Sequence, residues 1–253
     1  MARFFVGASY DLGQIASLSK EDSYHIKRVL RLGQGDILTL CDGQGYDYRA
    51  AIESISNDNL LCKILDKERS VGEPDTKLVL YQGLPKSTKM DLIVQKTVEL
   101  GVHRIVPLIT ERVVVKLSSD KDAKKKQERW QRIAMEAAKQ SGRGIIPSIH
   151  MPMTFKEAVS KEVPGSSEGS LKLILWEEEK QISLRSILDK HDKASNISII
   201  IGPEGGLSEK ELALAKEHGW LSASIGPRLL RTETAGMAVI AAIMYRMEEM
   251  EWK

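Results

Sequence analysis

Apolar residues beyond position 76 come in short blocks separated by helical patterns. Leu78–Gln82, Ile105–Ile109, Leu171–Trp176 and Ile197–Ile201 are compact apolar runs of strand length. Helical periodicity covers Met90–Leu100, which ends at Gly101, and Lys121–Gln140. Ser208 with Glu211 three residues on forms a capping box for a helix reaching about His218. A final helix is expected over about Glu233–Glu249. Strands alternating with helices predict a mostly parallel sheet covered on both faces.

The first part of the chain has a different texture. Apolar positions there alternate over Asp36–Cys41, Tyr46–Ile55 and Leu60–Leu65, with turns at Gly43/Gly45 and Asn57-Asp58-Asn59. A strand including Val6 precedes them. One helix is expected from Ser19, with Asp22 as an approximate capping box, to Gly33. This pattern predicts a small barrel. Val71-Gly-Glu-Pro-Asp75 reads as a linker, so the boundary falls between residues 1–72 and 73–253. Gly165–Gly169, rich in serine, reads as a flexible loop.

Composition removes several classes. Hydrophobic residues make up 42% and charged residues 28% of 253 residues, which fits a globular chain with a sizeable core. Two cysteines, Cys41 and Cys62, allow neither a disulfide framework nor a Cys-built zinc site, and both read as buried thiols. His103, His150, His191 and His218 lack metal-ligand spacing, so no metal is expected. No signal peptide is expected from the opening residues. The longest uncharged apolar stretch, Ala235–Tyr245, is too short to span a bilayer. These features predict a soluble protein of the cytoplasm.

The net charge of +2 hides an uneven distribution. Residues 1–72 hold 9 Lys/Arg against 10 Asp/Glu, residues 73–150 hold 15 against 9, and residues 151–253 hold 13 against 16. The middle segment is basic, with Lys124-Lys-Lys-Gln-Glu-Arg-Trp-Gln-Arg132 at its centre. Such a run either neutralises nucleic-acid phosphates or is a solvated helix face. His25 lies beside Lys27, Arg28 and Arg31, a setting suited to RNA contact or to a plain surface histidine. Lys86 and Lys89 open a helix, where a cation is unfavourable without an anionic partner, and RNA would supply one.

Three strand ends concentrate the chemistry: Leu173-Ile-Leu-Trp-Glu177, Ile199-Ile-Ile-Gly-Pro-Glu-Gly-Gly206 and Ile225-Gly-Pro-Arg-Leu-Leu-Arg-Thr-Glu-Thr-Ala-Gly236. Ligands of parallel sheets bind beyond strand carboxyl ends. The glycines of Gly202–Gly206 permit positive φ and close backbone approach. No P-loop lysine follows and no G-x-G-x-x-G occurs, so a cofactor read by backbone groups and apolar walls fits better than a polyphosphate or a dinucleotide. In the third stretch, Thr232 or Thr234 is the expected helix cap and Glu233 suits the helix dipole. Arg231 does not suit it, and an anion is needed to offset that cation.

The chain resembles the RsmE family of 16S ribosomal RNA uridine methyltransferases, within the SPOUT superfamily. The resemblance rests on Arg3-Phe-Phe-Val6, His25-Ile-Lys-Arg-Val-Leu-Arg31, Lys86–Gly101, Glu136-Ala-Ala-Lys-Gln-Ser-Gly-Arg143, Ile201–Gly206 and Gly226-Pro-Arg-Leu-Leu-Arg-Thr-Glu-Thr-Ala235, in the family's order. It implies an α/β fold: a SPOUT-type domain with a C-terminal trefoil knot, plus a small N-terminal PUA-like β-barrel that helps grip RNA. It also implies S-adenosyl-L-methionine (SAM) as cofactor, a homodimer, and methylation of N3 of one uridine in 16S rRNA or the small ribosomal subunit. A non-catalytic RNA-binding protein of the same fold is the alternative. The cofactor loops would comprise Leu175, Trp176 and Glu177; Ile201, Gly202, Pro203, Glu204, Gly205 and Gly206; and Ile225, Gly226, Leu229, Leu230, Arg231, Thr234 and Ala235. Trp176-Glu177-Glu178-Glu179 departs from the family by its acidic run. Uridine N3 carries a proton, so the site needs a base or a cation that stabilises the anion. Arg231 is the stabiliser, with Glu204 and Glu233 competing as proton acceptor. RNA contacts fall to Arg3, His25, Arg28, Arg31, Lys86, Lys89 and Arg143.

Overall fold

A computed structural model describes residues 3–56, 59–113, 119–160 and 170–251. The expected turn residues Asn57 and Asp58 and the expected loop Gly165–Gly169 lie outside the described residues. The chain divides into two compact units, Met1–Glu73 with Ala138–Ile146, and Pro74–Ala137 with Pro147–Lys253.

In the first unit, alternation dictates the sheet. Strands β1 (Arg3–Phe5), β2 (Ile15–Ser17), β3 (Ile37–Cys41), β4 (Tyr46–Ile55) and β5 (Leu60–Arg69) form one sheet in the order β1-β3-β4-β5-β2. Only β1–β3 is parallel. Leu38 and Leu40, Tyr48, Ala50 and Ile52, and Leu60, Cys62 and Ile64 occupy every second position and share one core with Phe4, Leu18 and Ile26. A period of two sends one set of side chains inward, and the other set meets water. Register slips at Arg49/Ala50 and Ile52/Ser54 bend the long β4–β5 ribbon around that core. Burial raises both free thiols, Cys41 and Cys62, to about 12; the nearby Arg3 guanidinium only partly offsets this for Cys41.

The expected helix from Ser19 to Gly33 is shorter and changes pitch. Ser19 caps α1 (Lys20–Tyr24) by accepting from the Asp22 N–H at 3.0 Å. A π-helical turn follows over His25–Leu30, and Arg31 closes it with φ 55 by donating to Ile26 O. The left-handed cap therefore falls on Arg31 rather than on the glycine two residues later.

The second unit holds a seven-stranded sheet in which every pairing is parallel. Its strands are β6 (Lys77–Gly83), β7 (Arg104–Ile109), β8 (Ser148–Ile149), β9 (Met153–Thr154), β10 (Leu171–Leu175), β11 (Asn196–Ile201) and β12 (Leu221–Ala223). Their order is β12-β10-β11-β6-β7-β8, with β9 also on β7. Helices α2 (Lys89–Glu99), α3 (Asp120–Ser141), α4 (Phe155–Ser160), α5 (Leu184–Leu188), α6 (Glu209–Glu217) and α7 (Thr232–Arg246) connect or follow them. On one face Val79, Tyr81, Val106, Ile174 and Ile200 pack with residues of α4 and α6 and with Trp220. The alternate residues Leu78, Leu80, Ile105, Leu173 and Ile199 are also buried, and α7 packs on β6 and β11. Both faces are covered, which is why these strands read as unbroken apolar runs. No helix among the described residues is long and apolar enough to cross a membrane.

Candidate active site

Strands β12, β10 and β11 are consecutive in the sheet and parallel, so their carboxyl ends emerge side by side. This brings together the three stretches singled out in the sequence. They surround a cavity of about 820 Å³. Its walls include Leu175, Trp176 and Glu177 after β10, Ile201, Gly202, Pro203, Glu204 and Gly206 after β11, and Ile225, Gly226, Leu229, Leu230, Arg231 and Ala235 after β12. Of the expected cofactor residues, Gly205 and Thr234 are not on this wall. The wall also holds Pro227, Arg228 and Thr232, which lie in the third stretch without an expected cofactor role, and Glu179–Ser183, Ala223 and Ser224, which lie outside the three stretches. Ala223 and Ser224 are only weakly signalled, because the three residues of β12 are too few for a periodic pattern.

The turn after β11 is closed by Gly206 N–H donating to Pro203 O at 2.9 Å. Gly206 has φ 68, and a Cβ on it would run into the Glu177 carboxylate. Glycine is favoured there by conformation, and a side chain would also displace the Glu177 carboxylate. Gly83, at the end of β6, is constrained by space alone, since its Cβ would lie 2.6 Å from the Pro203 ring and backbone nitrogen. Gly205 packs on Arg112 instead, whose guanidinium donates to Gly205 O at 3.1 Å. The capping-box Glu211 adds a second tie: one carboxylate oxygen accepts from Ser208 N–H and the other from Glu111 N–H at 2.8 Å. The acidic run is also sorted by the structure. Glu179 accepts from Ser222 Oγ at 2.6 Å and from the N–H groups of Gln181 and Ile182, and these bonds hold its carboxyl below the usual range. Glu177 is the member that faces the Gly206 turn.

Helix α7 is capped differently from the sequence expectation. Arg231 occupies the N-cap position with extended backbone and makes no side-chain cap. Neither threonine caps the helix. The Thr232 hydroxyl is engaged elsewhere: it accepts from Gln82 Nε2 at 2.9 Å and donates to Gly202 O at 2.6 Å. Thr234 is exposed. The Arg231 side chain is exposed, lines the cavity, and has no carboxylate partner among the described residues.

The anion needed by Lys89 comes from within the protein. Its ammonium lies 3.0 Å from Glu204 Oε1 and 3.3 Å from Glu233 Oε2. Glu204 also accepts from the Lys86 N–H at 3.1 Å. Hydrogen bonding to Glu204, then to Glu233, outweighs desolvation and raises the Lys89 pKa. Burial pushes Glu204 up, but Lys89 and the Lys86 N–H together bring it below the usual carboxylate range. The two candidate proton acceptors thus share one cation.

The remaining expected RNA-binding residues fall into two groups within the first unit. Arg143 is 3% exposed and grips Glu73 through Nε at 3.2 Å and Nη2 at 2.9 Å. Glu73 accepts from Ile145 N–H as well, so this pair anchors the 138–146 segment rather than presenting a free cation. Arg3 is similarly taken by Asp47 at 2.6 Å and by Cys41 Sγ. By contrast His25, Arg28 and Arg31 are exposed, with the His25 ring edge-on to Phe4 at 6.1 Å. Lys27 donates to Ser56 O. No cluster of His, Cys, Asp or Glu among the described residues has the makings of a metal site.

Comparison with known proteins agrees with this geometry. Residues 72–244 match the model of an RNA methyltransferase domain, and residues 18–65 match an RNA methyltransferase PUA domain. The ribosomal RNA small subunit methyltransferase E of Bacillus subtilis is 34% identical over 92% of this chain and 90% of its own length. The protein of the same name from Mesomycoplasma hyopneumoniae is 31% identical over 95% of this chain and 97% of its own. A crystal structure of the Neisseria gonorrhoeae ribosomal RNA small subunit methyltransferase E bound to S-adenosyl methionine superposes with a TM-score of 0.85, at 32% identity, covering 97% of both chains. With its SPOUT-like α/β sheet, its PUA-like first unit and its glycine-lined cavity, the chain belongs to the ribosomal RNA small subunit methyltransferase E (RsmE) family.

Proposed function

We propose that the protein methylates N3 of one uridine in 16S ribosomal RNA, using SAM. The observation that carries this reading is an unpaired Arg231 in a cavity formed by three adjacent strand ends. The residues fit SAM. Apolar walls from Leu175, Ile201, Ile225 and Leu230 suit a nucleoside, and the Gly206 cradle leaves room where a side chain would intrude. When bound, SAM supplies a methyl group activated by a sulfonium centre.

The chain's own work is to orient the uridine and to remove its N3 proton. Fixed orientation supplies much of the rate in a direct displacement. Arg231 stabilises the negative charge that develops on the base as the proton leaves. Glu204 is a poor proton acceptor, because Lys89 and the Lys86 N–H hold it in its anionic form. Glu233 meets Lys89 only at 3.3 Å and sits beside Arg231 on the first turn of α7. We assign it as the proton acceptor. His25, Arg28 and Arg31 of the PUA-like unit hold RNA phosphates. The boundary near residue 72, the trefoil knot, a homodimer and a cytoplasmic location complete the proposal.

The test is transfer of labelled methyl from SAM to small-subunit RNA, followed by nucleoside analysis. The expected product is 3-methyluridine, formed roughly a hundredfold more slowly on Arg231→Ala. Label in any other nucleoside, or none, overturns the assignment.

A further inference from the structure

Gln82 is the penultimate residue of β6 and is fully buried, in register with Leu78 and Leu80. An apolar side chain would satisfy that position. The amide instead uses both Nε2 hydrogens, on Gly83 O at 3.0 Å and Thr232 Oγ1 at 2.9 Å. Its Oε1 is left buried without a partner. Turned the other way, the amide would set Oε1 against the Gly83 carbonyl, acceptor against acceptor. Because Thr232 Oγ1 accepts from Gln82, its own hydrogen is directed to Gly202 O, at 2.6 Å. The bonds therefore run in one direction, from Gln82 through Thr232 to Gly202, the first residue of the turn after β11. Native interiors rarely leave a buried polar atom unsatisfied unless the group is used for something.

What the relay holds is the start of α7. Arg231 is the N-cap residue there, with no side-chain cap of its own. A cation at a helix N-terminus is repelled by the helix dipole. The peptide that follows it is pinned by the Thr232 hydroxyl. We propose that Gln82 and Thr232 are positioning residues that hold Arg231 in the cavity by pinning the first turn of α7 to the turn after β11. The inference rests on the role given above to Arg231.

The experiment compares Thr232→Val, Thr232→Ser and Gln82→Leu in the full chain by amide exchange and by turnover. The probe amide is Ala235, whose N–H closes the first turn on Arg231 O at 2.8 Å. Its exchange is expected to rise roughly tenfold in Thr232→Val and Gln82→Leu, and to stay at the native rate in Thr232→Ser. Methyl transfer is expected to lose roughly tenfold in kcat in the first two variants, while Thr232→Ser keeps native turnover. In an Arg231→Ala background, Thr232→Val is expected to cost less than about twofold more, since the residue acts through Arg231. Native exchange in Thr232→Val overturns the proposal, as does a Thr232→Ser variant no better than Thr232→Val. An effect that adds in full to that of Arg231→Ala overturns it too. If the native protein transfers no methyl to small-subunit RNA, the functional reading fails by itself, and the exchange comparison still decides the pin.

Discussion

Two arginines of the first unit and one of the second are held in opposite ways. In the first, Arg143 and Arg3 are sunk against Glu73 and Asp47, and each carboxylate accepts further hydrogen bonds. In the second, Arg231 is exposed in a cavity with no carboxylate within reach among the described residues. A buried, fully paired arginine holds architecture, because separating the pair strands a charge in a poor solvent. An arginine left open at a strand end retains its field for a ligand. Both lie in motifs that suggest function, so the motif alone does not separate the roles. Burial and partners do.

The largest effect is expected from breaking the buried pair. Arg143→Ala leaves Glu73 with one backbone N–H in place of a bidentate guanidinium, and should destabilise the protein by about 3–5 kcal/mol. Urea unfolding measures this. SAM affinity of the folded variant should be unchanged. Arg231→Ala should shift stability by less than about 0.5 kcal/mol, as exposed substitutions do. Equal losses of stability in the two variants would erase the contrast between the two arginines.

Next comes the cofactor cradle. Gly206→Val asks a β-branched residue to adopt φ 68 and to displace the Glu177 carboxylate. Titration calorimetry should show SAM affinity falling by a factor of about 100 or more, equivalent to at least about 2.7 kcal/mol. Gly205→Val should cost less. It needs no positive φ, and its Cβ meets Arg112 Cβ at 3.1 Å and the Arg112 carbonyl oxygen at 3.3 Å, contacts that a small shift relieves. A larger loss at Gly205 than at Gly206 would place the cradle one residue earlier.

A smaller shift should appear in the charge triad. The Glu204 carboxyl is held below its ordinary range, so its pairing stabilises the protein above the unfolded carboxylate pKa. That contribution is lost as pH falls through the lowered folded value. The raised Lys89 contributes below the ordinary lysine pKa, and loses its effect as pH rises through the folded value. Lys89→Met should move the Glu204 titration upward, because burial then acts without its counterion. Carbon NMR of the carboxyl group follows this directly. A Glu204 titration unmoved by the substitution would assign the lowering to the backbone N–H groups of Glu204 and Lys86.

These contrasts also show which parts of the molecule were legible in the sequence. Periodicity placed β4 at Tyr46–Ile55 without error, and the capping box placed the start of α6 at Ser208. It also chose three strand ends that the sheet order then made neighbours. Such features are local: a period, a cap or a glycine turn is written in consecutive residues. The pairings were not legible, because their partners are far apart in the chain. Glu73 and Arg143 are 70 residues apart, Lys86 and Glu204 are 118, and Gln82 and Thr232 are 150. The sequence showed that Lys89 needed an anion, but not that Glu204 and Glu233 would be the ones. Nor did it show that Thr232 would forgo capping to bind a distant carbonyl. The helix expected to stop at Gly33 ended two residues earlier, with Arg31 in the left-handed conformation after a π turn.

The smallest effect is expected where the basic run meets solvent. Two of its members are occupied: Lys126 lies 3.8 Å from Asp122, and Arg129 lies 2.6 Å from Asp91. Lys124, Lys125 and Arg132 are exposed on α3 with no carboxylate partner among the described residues. Exposed pairs of the first kind contribute about 0–1 kcal/mol and compete with any phosphate. The unpaired three are therefore the ones able to replace counterions on RNA. Neutralising them together should leave urea unfolding within about 0.5 kcal/mol of the native protein. The slope of log affinity against log salt should fall by about one for each RNA phosphate that is no longer neutralised. The weakening should be similar for any RNA sequence, since phosphate contacts carry no base information. An unchanged slope would make α3 a solvated helix face, and would confine the RNA contacts to cations elsewhere in the chain.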